Sequence, residues 1–430
     1  MLVEDRRGYP MNVFARLRFS GRLERGAMEA ALAAALARHP LLDALVRPTG
    51  KNQWSFVRAE ALALPLCWFE PGAPAPNHLP GLRLFEERGA KVWVFEEKAS
   101  TCLVLQLHHA CCDGPGGLQF LLDLLRAYGQ ALGADTPRSA LRPLAAHKLA
   151  ERGRFGLSRS QQLQVLRKHL RLLPGIARTV RHRAVPLVPH QPQWQAHHPP
   201  AGYPTTCTGF LESHELAALR AAAVRRKVTT NEILIRDLFL ALAEWQSRHG
   251  AGQEPGWRRI WIPVNLRTLA HRWLPAANIT SVVFLDRRNE HLADPHRLLE
   301  SIHGQMETIK SARAGLFLVF AMRWLKTLTG SVRAMVREDR CMATCVLSNL
   351  GAWLAHAPLP QRDGCIRLGD TLLEHVELIA PLRPYTCANF CTFEYQQKLW
   401  ITLHYDPRPL ARDQAVDLLE TFLRSIRAGL

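Results

Sequence analysis

Two hydrophobic periods alternate along the chain. Val13, Ala15, Leu17 and Phe19 are spaced by polar or basic neighbours, the two-residue period of a strand with one buried face. After Gly21 the period lengthens. Met28, Leu32 and Leu36 recur at helical spacing in the Ala/Leu-rich stretch 27–38, which Pro40 closes. Strands are predicted over 54–57, 64–69 and 91–96. The aliphatic run 101–107 reads as a buried strand entering His108, and 118–128 returns to helical period.

The second half repeats the alternation. A strand is predicted over 206–211 and a helix over 213–226. A further helix starts at Thr229, where Thr229 and Glu232 have capping-box spacing, and its apolar face carries Ile233, Leu234, Leu238, Leu242 and Trp245. Strands follow at 259–264 and 279–285. Asp294-Pro295 puts a cap and then proline at the first helical position, starting a helix to about 312. Strands at 343–347, 388–395 and 399–405 precede a last helix over 411–427. No short-period repeat accompanies these elements. The pattern predicts an α/β (α+β layered) fold of two lobes, 1–185 and 206–430, joined by a Pro-rich crossover over 186–205.

Composition narrows the picture. With 430 residues, 47% hydrophobic and 21% charged, the chain can bury a sizeable core, and disordered or collagen-like architectures are excluded. Lys and Arg number 55 against 37 Asp and Glu, a net charge of +18. That excess favours anionic partners, among them phosphate-bearing cofactors, acidic carrier proteins, anionic lipid surfaces and nucleic acid. No recognition motif supports the last. Much of the charge lies in 148–183, with Lys148, Arg152, Arg154, Arg159, Arg167, Lys168, Arg171, Arg178, Arg181 and Arg183. It reads as a solvated helix face or as a docking surface for an anionic partner.

The opening MLVEDRRGYP has no apolar h-region, and the ten cysteines read as reduced thiols, so a cytoplasmic location is expected. The longest strongly apolar run, Leu316–Met322, falls far short of the ~20 residues of a spanning helix. Leu316–Trp324, flanked by Arg313 and Lys326, reads as core, with a peripheral membrane foot or an acyl-channel wall as the sharper alternatives.

The densest local chemistry is His108-His109-Ala110-Cys111-Cys112-Asp113-Gly114, between the strand 101–107 and the helix 118–128. Two imidazoles and a carboxylate thus share one tight turn. An imidazole near neutrality can take a proton from a hydroxyl or amine as it attacks a carbonyl. Asp113 can fix the turn by pairing with a cation, and glycine admits a close approach that a Cβ forbids. The bland reading is a pair of packed histidines. Cys111 and Cys112 could join them around a metal, but adjacent cysteines suit a tetrahedral site poorly. Cys341/Cys345 and Cys387/Cys391 have permissible gaps yet sit on apolar stretches, so no metal site is expected.

The spacing HHxxxDG resembles the signature of the CoA-dependent acyltransferase superfamily, with its condensation domains, chloramphenicol acetyltransferases and polyketide-associated acyltransferases. The likeness extends to GYPMNVFARLRF and RHPLL near the start, TTNEILIRDLFLALAEW, WIPVNLR, AANITSVVFLD and LSNLG. It is nearest to stand-alone polyketide-associated and alcohol O-acyltransferase-type members. The resemblance implies a pseudo-dimer of two chloramphenicol-acetyltransferase-like lobes with an active-site tunnel between them. It implies His109 as general base, supported by His108, with Asp113 holding the turn through an arginine and Gly114 keeping space near the channel. Arg267, from its place in WIPVNLR, is the candidate partner of Asp113. Ser348 and Asn349 are the candidates for oxyanion or substrate contacts. The implied activity is acyl transfer from a thioester, on CoA or a phosphopantetheinyl carrier protein, to a small hydroxyl or amine acceptor, without a permanently bound cofactor, by a monomer. Condensation of carrier-bound substrates is the runner-up, and a non-catalytic two-lobed binding protein the reading from another class. A DFGWG-like motif is absent, SNLG lacks the proline of wax synthases, and Glu232 stands where an Asp is usual. These departures argue against the plant-type and long-chain ester branches.

Overall fold

A computed structural model describes the chain except for 1, 3, 51–52, 61, 134–140, 142, 169–180, 190–196, 251–255 and 330–340. Arg171 and Arg178 of the basic stretch lie outside the described residues, as does Pro192.

The first half runs β1 (Asn12–Ser20), α1 (Arg25–Arg38), β2 (Ala44–Gly50), β3 (Gln53–Arg58), β4 (Leu66–Phe69), β5 (Ala90–Glu96), β6 (Ser100–His108), α2 (Gly114–Ala131) and α3 (Arg159–Lys168). The second runs β7 (Thr206–Leu211), α4 (Ser213–Arg225), α5 (Thr230–Arg248), β8 (Arg258–Asn265), β9 (Thr280–Arg287), α6 (Pro295–Ser311), α7 (Ala314–Thr329) and β10 (Cys345–Asn349). It closes with β11 (Gln361–Arg362), β12 (Cys365–Leu368), β13 (Thr371–Ile379), β14 (Ala388–Tyr395), β15 (Lys398–Tyr405) and α8 (Arg412–Ala428).

One sheet has the order β11-β12-β13-β1-β6-β5-β4 and the other β7-β15-β14-β10-β8-β9, while β2 and β3 form a separate ribbon. Leu17 and Phe19 of β1, Leu105 and Leu107 of β6, Leu32 and Leu36 of α1, and Leu121 and Leu125 of α2 share one core. The second core packs Ile233, Leu238, Leu242 and Trp245 of α5 against β8, β14, β15 and α8. The two-lobed α/β architecture expected from the alternation is therefore present.

The sheets do not follow the division of the chain at 186–205. Segment 361–379 belongs to the second half of the chain but completes the first sheet, where β13 runs antiparallel to β1 with Leu17 opposite Val376. Arg16 and Glu377 face each other in that register, with Nη1 2.5 Å from Oε2, and Thr208 of β7 donates to Glu377 Oε1 at 2.8 Å. One carboxylate thus ties the two sheets together.

The helix starts bear out the local chemistry. The Thr229 hydroxyl accepts from the Glu232 backbone N–H while the Glu232 carboxylate accepts from the Thr229 N–H. The Asp294 carboxylate accepts from His296 and Arg297. The Thr229 cap stabilises its helix by about 1 kcal/mol. The apolar run Leu316–Trp324 forms part of α7, and its Leu316, Phe317 and Phe320 are buried in the interior. They form neither an exposed membrane foot nor part of the cavity wall described next. Among the described residues, no helix is long and apolar enough to cross a membrane.

Candidate active site between the sheets

Strand β6 ends at His108, and the chain turns through His109–Asp113 into α2. The turn is held from several sides. The His109 N–H donates to the Met11 carbonyl beside β1 at 2.7 Å, and the Asp113 N–H reaches the Ala277 carbonyl at 3.3 Å. Asp113 caps α2 by accepting from the Gly116 N–H at 2.9 Å, with Pro115 in the first turn, where its missing N–H costs nothing.

Asp113 is 1% exposed and accepts four hydrogen bonds. Arg267 donates from Nη1 to Oδ2 at 2.7 Å and from Nη2 to Oδ1 at 2.8 Å, and the Ile279 N–H donates to Oδ2 at 2.7 Å. A buried carboxylate tolerates burial only with this kind of complete pairing. The carboxylate is spent on structure, joining the turn to the β8–β9 connection.

His109 is half-buried, and its Nδ1–H donates to the Cys112 carbonyl at 2.8 Å. That bond fixes the tautomer with Nε2 unprotonated, and Nε2 has no partner among the described residues. Asn278 donates to the His109 carbonyl at 2.7 Å and bolsters the turn from the β9 side. Burial pushes the imidazole below its ordinary value of 6.5, and the positive charge of Arg383 pushes the same way. The His109 imidazole is therefore neutral at physiological pH.

His108 points elsewhere. It is fully buried, its Nδ1 accepts from the Ala110 N–H at 3.1 Å, and its Nε2 lies 3.3 Å from Asp5 Oδ2. Asp5 also accepts from the Met11 N–H at 2.9 Å. His108 is packed between the turn and the N-terminal segment and does not line the cavity.

That cavity, about 220 Å³, lies at the seam of the two sheets. His109, Asp113 and Gly114 line it from one side and Trp261, Val346, Ser348 and Asn389 from the other. A Cβ on Gly114 would stand 2.5 Å from Leu350 Cδ2, so this glycine lets the residue after β10 close against the turn. Gly116 is tighter, since a Cβ there would meet the Ala277 backbone at 2.9 and 3.0 Å. Ser348 and Asn349 both line the cavity. The Ser348 hydroxyl approaches the Cys391 thiol on the neighbouring strand. The Asn349 side chain accepts from the Gly351 N–H at 2.9 Å and donates to Asn231 at 3.3 Å. Asn349 is thus partly committed to its own turn, and Ser348 is the freer of the two.

Cys111 and Cys112 are buried, lie outside the cavity wall, and have thiols pushed far up by burial. An inert thiol is a poor nucleophile, which argues against a covalent acyl-cysteine route. Sequence reasoning missed Asp5, Gly116, Asn278 and Arg383. Gly116 was legible as part of the Gly-Pro-Gly-Gly run and Asn278 as part of AANITSVVFLD, whereas Asp5 and Arg383 reach the site only through folding.

No protein-family model matches the chain. It is 26% identical over 350 residues to the uncharacterized protein Rv2305 of Mycobacterium tuberculosis, covering 78% of this chain and 77% of that one. Among solved structures, the first condensation domain of the CDA synthetase superposes with a TM-score of 0.62 at 15% identity, over 98% of this chain and 91% of that one. The chain has the condensation-domain fold. The epimerization domain from the third module of tyrocidine synthetase B gives 0.68 at 14% identity, over 99% and 93%. Polyketide synthase associated protein 5 from Mycobacterium tuberculosis gives 0.60 at 14%, over 97% and 92%. In this condensation-type fold the His109 turn stands at the seam of the two sheets.

Proposed function

We propose that the chain is an acyltransferase that moves an acyl group from a thioester, on CoA or a phosphopantetheinyl carrier protein, to a hydroxyl or amine. The observation that carries the reading is His109, whose Nδ1–H is tied to the Cys112 carbonyl and whose Nε2 is left basic beside the cavity. His109 Nε2 takes the acceptor's proton as its oxygen or nitrogen attacks the thioester carbonyl. The oxyanion forms facing donors of the opposite wall, with Ser348 as candidate. The intermediate collapses by breaking the C–S bond, and the departing thiolate takes the proton back from His109. General-base assistance contributes about 10²–10⁴-fold, and holding both substrates in one narrow cavity supplies much of the remainder. The cycle needs no resident cofactor.

Condensation of carrier-bound substrates uses the same chemistry, with the acceptor as well as the donor held on a carrier. The likeness to a condensation domain and to a polyketide synthase associated protein supports acyl transfer without choosing the donor. The test is thiol release from a panel of acyl-CoAs and acyl-carrier proteins, with and without alcohols and amines. Acceptor-dependent release that disappears in His109→Ala supports transfer. No release from any donor supports a binding protein instead.

A further inference from the structure

Asp113 and Arg383 are the charged residues among the described residues lining the cavity. Asp113 is consumed by Arg267 and two backbone N–H groups. Arg383 is not consumed in this way. Its Nε and Nη2 face the two carboxylate oxygens of Glu4 at 3.4 Å each, well beyond the 2.7–2.9 Å of a close charge-assisted pair. Nη1 has no hydrogen-bond partner among the described residues. Glu4 is not part of the cavity wall, so it meets the guanidinium from behind. Arg383 Cζ lies 4.2 Å from the centroid of the Trp261 ring, and Trp261 itself lines the cavity. The neighbouring walls are mainly apolar, with Phe14, Leu378, Ile379, Pro381 and Val346. A positive charge facing mainly apolar walls attracts an anion more strongly than one in bulk water, and a planar guanidinium matches a carboxylate.

We infer that the cavity takes a substrate bearing a carboxylate, bound by Arg383 through Nη1 and Nη2 and steered by the Trp261 face. The inference deepens the acyl-transfer reading, because it assigns a charged end to one of the two substrates. Glu4 is the counter-ion of Arg383 and gives up Nη2 when the substrate arrives. The net charge of +18 draws such an anion towards the protein, and Arg383 selects it at the site.

The experiment needs no turnover. Hexanoate and hexanamide have the same chain length and differ in charge. Their affinities for the full-length protein are read at pH 7 from tryptophan fluorescence and by calorimetry. Hexanoate is expected to bind at least tenfold more tightly. Arg383→Gln should erase the preference, Arg383→Lys should retain part of it, and Glu4→Gln should tighten hexanoate severalfold by removing the competing carboxylate. Equal affinities in the wild-type protein overturn the inference, whatever the variants do. A preference that persists in folded Arg383→Gln also overturns it, by placing the anion elsewhere. Neither probe can be transferred, so the two readings fail separately. Selective hexanoate binding without thiol release from any donor removes the acyltransferase and leaves the carboxylate site. Thiol release with no charge preference does the reverse.

Discussion

Arg267 and Asp113 stand 154 residues apart in the chain, and their side chains meet in a two-bond fork of 2.7 and 2.8 Å. The fork pins the histidine turn of one sheet to the β8–β9 connection of the other. It sets where His109 sits without touching the reacting atoms.

Removing either half of that fork should destabilise the protein. Asp113→Ala strips α2 of its cap, leaves the Ile279 and Gly116 N–H groups unpaired and strands Arg267. Breaking a buried pair costs about 3–5 kcal/mol. Arg267→Ala leaves a buried carboxylate with two backbone donors and should cost a similar amount. The double variant should lose less than the sum, because each single change already removes the shared bonds. Urea denaturation of the four proteins checks this, and strict additivity would show that the pair is not coupled.

His109→Ala should fold normally and lose acyl transfer. In the wild-type protein, burial and Arg383 hold the imidazole below 6.5, so the unprotonated base persists into mildly acidic solution. The acid limb of kcat/KM should therefore lie below pH 6.5. A limb at or above pH 6.5 would mean that another group supplies the base.

Gly114 and Gly116, at the start of α2, should respond differently to a methyl group. At Gly114 the obstacle is the flexible tip of Leu350, so Gly114→Ala should fold with a small loss of stability while pushing Leu350 aside at the cavity wall. At Gly116 the obstacle is the Ala277 backbone, so Gly116→Ala should cost about 1–3 kcal/mol. Thermal melts and thiol-release rates measured together separate the two effects, and equal melting points would contradict the contrast.

His404 should make stability depend on pH. It is fully buried, its Nδ1 donates to the Ala380 carbonyl at 2.7 Å, and burial lowers its pKa to about 4. The unfolded chain titrates near 6.5, so between pH 6.5 and 4 the unfolded state binds a proton that the native state refuses. Stability from this group is present above that window and is lost as pH falls through it, by about 1.4 kcal/mol per unit. Between pH 7 and 5 the wild-type protein should lose about 2 kcal/mol more than His404→Gln, with both followed by urea denaturation. Parallel pH profiles would refute the assignment.

The exposed arginines of α3 test the charge. If this surface docks an anionic donor, Arg159→Glu with Arg167→Glu should raise the donor KM at 0.1 M salt and leave kcat for a small soluble donor unchanged. The difference should fade near 1 M, where the Debye length falls to about 3 Å. Sedimentation with anionic vesicles distinguishes a lipid partner. If KM and vesicle binding both stay unchanged, the surface is a solvated face.

The periodicities by themselves determined most elements, because strand and helix periods and the Thr229 and Asp294 caps are local properties. The residue types of 108–114 marked the turn, and the family resemblance named Arg267 as the candidate partner of Asp113. The tertiary structure alone decided that β13 leaves its own half of the chain to complete the first sheet beside β1. That pairing joins Arg16 to Glu377 across 361 residues, and no local period records it. The placement of Asp5, Asn278 and Arg383 around the histidine turn has the same cause. Their chemistry arises from which backbone segments the sheets bring together, and chain entropy makes such distant contacts invisible until the rest of the fold has formed.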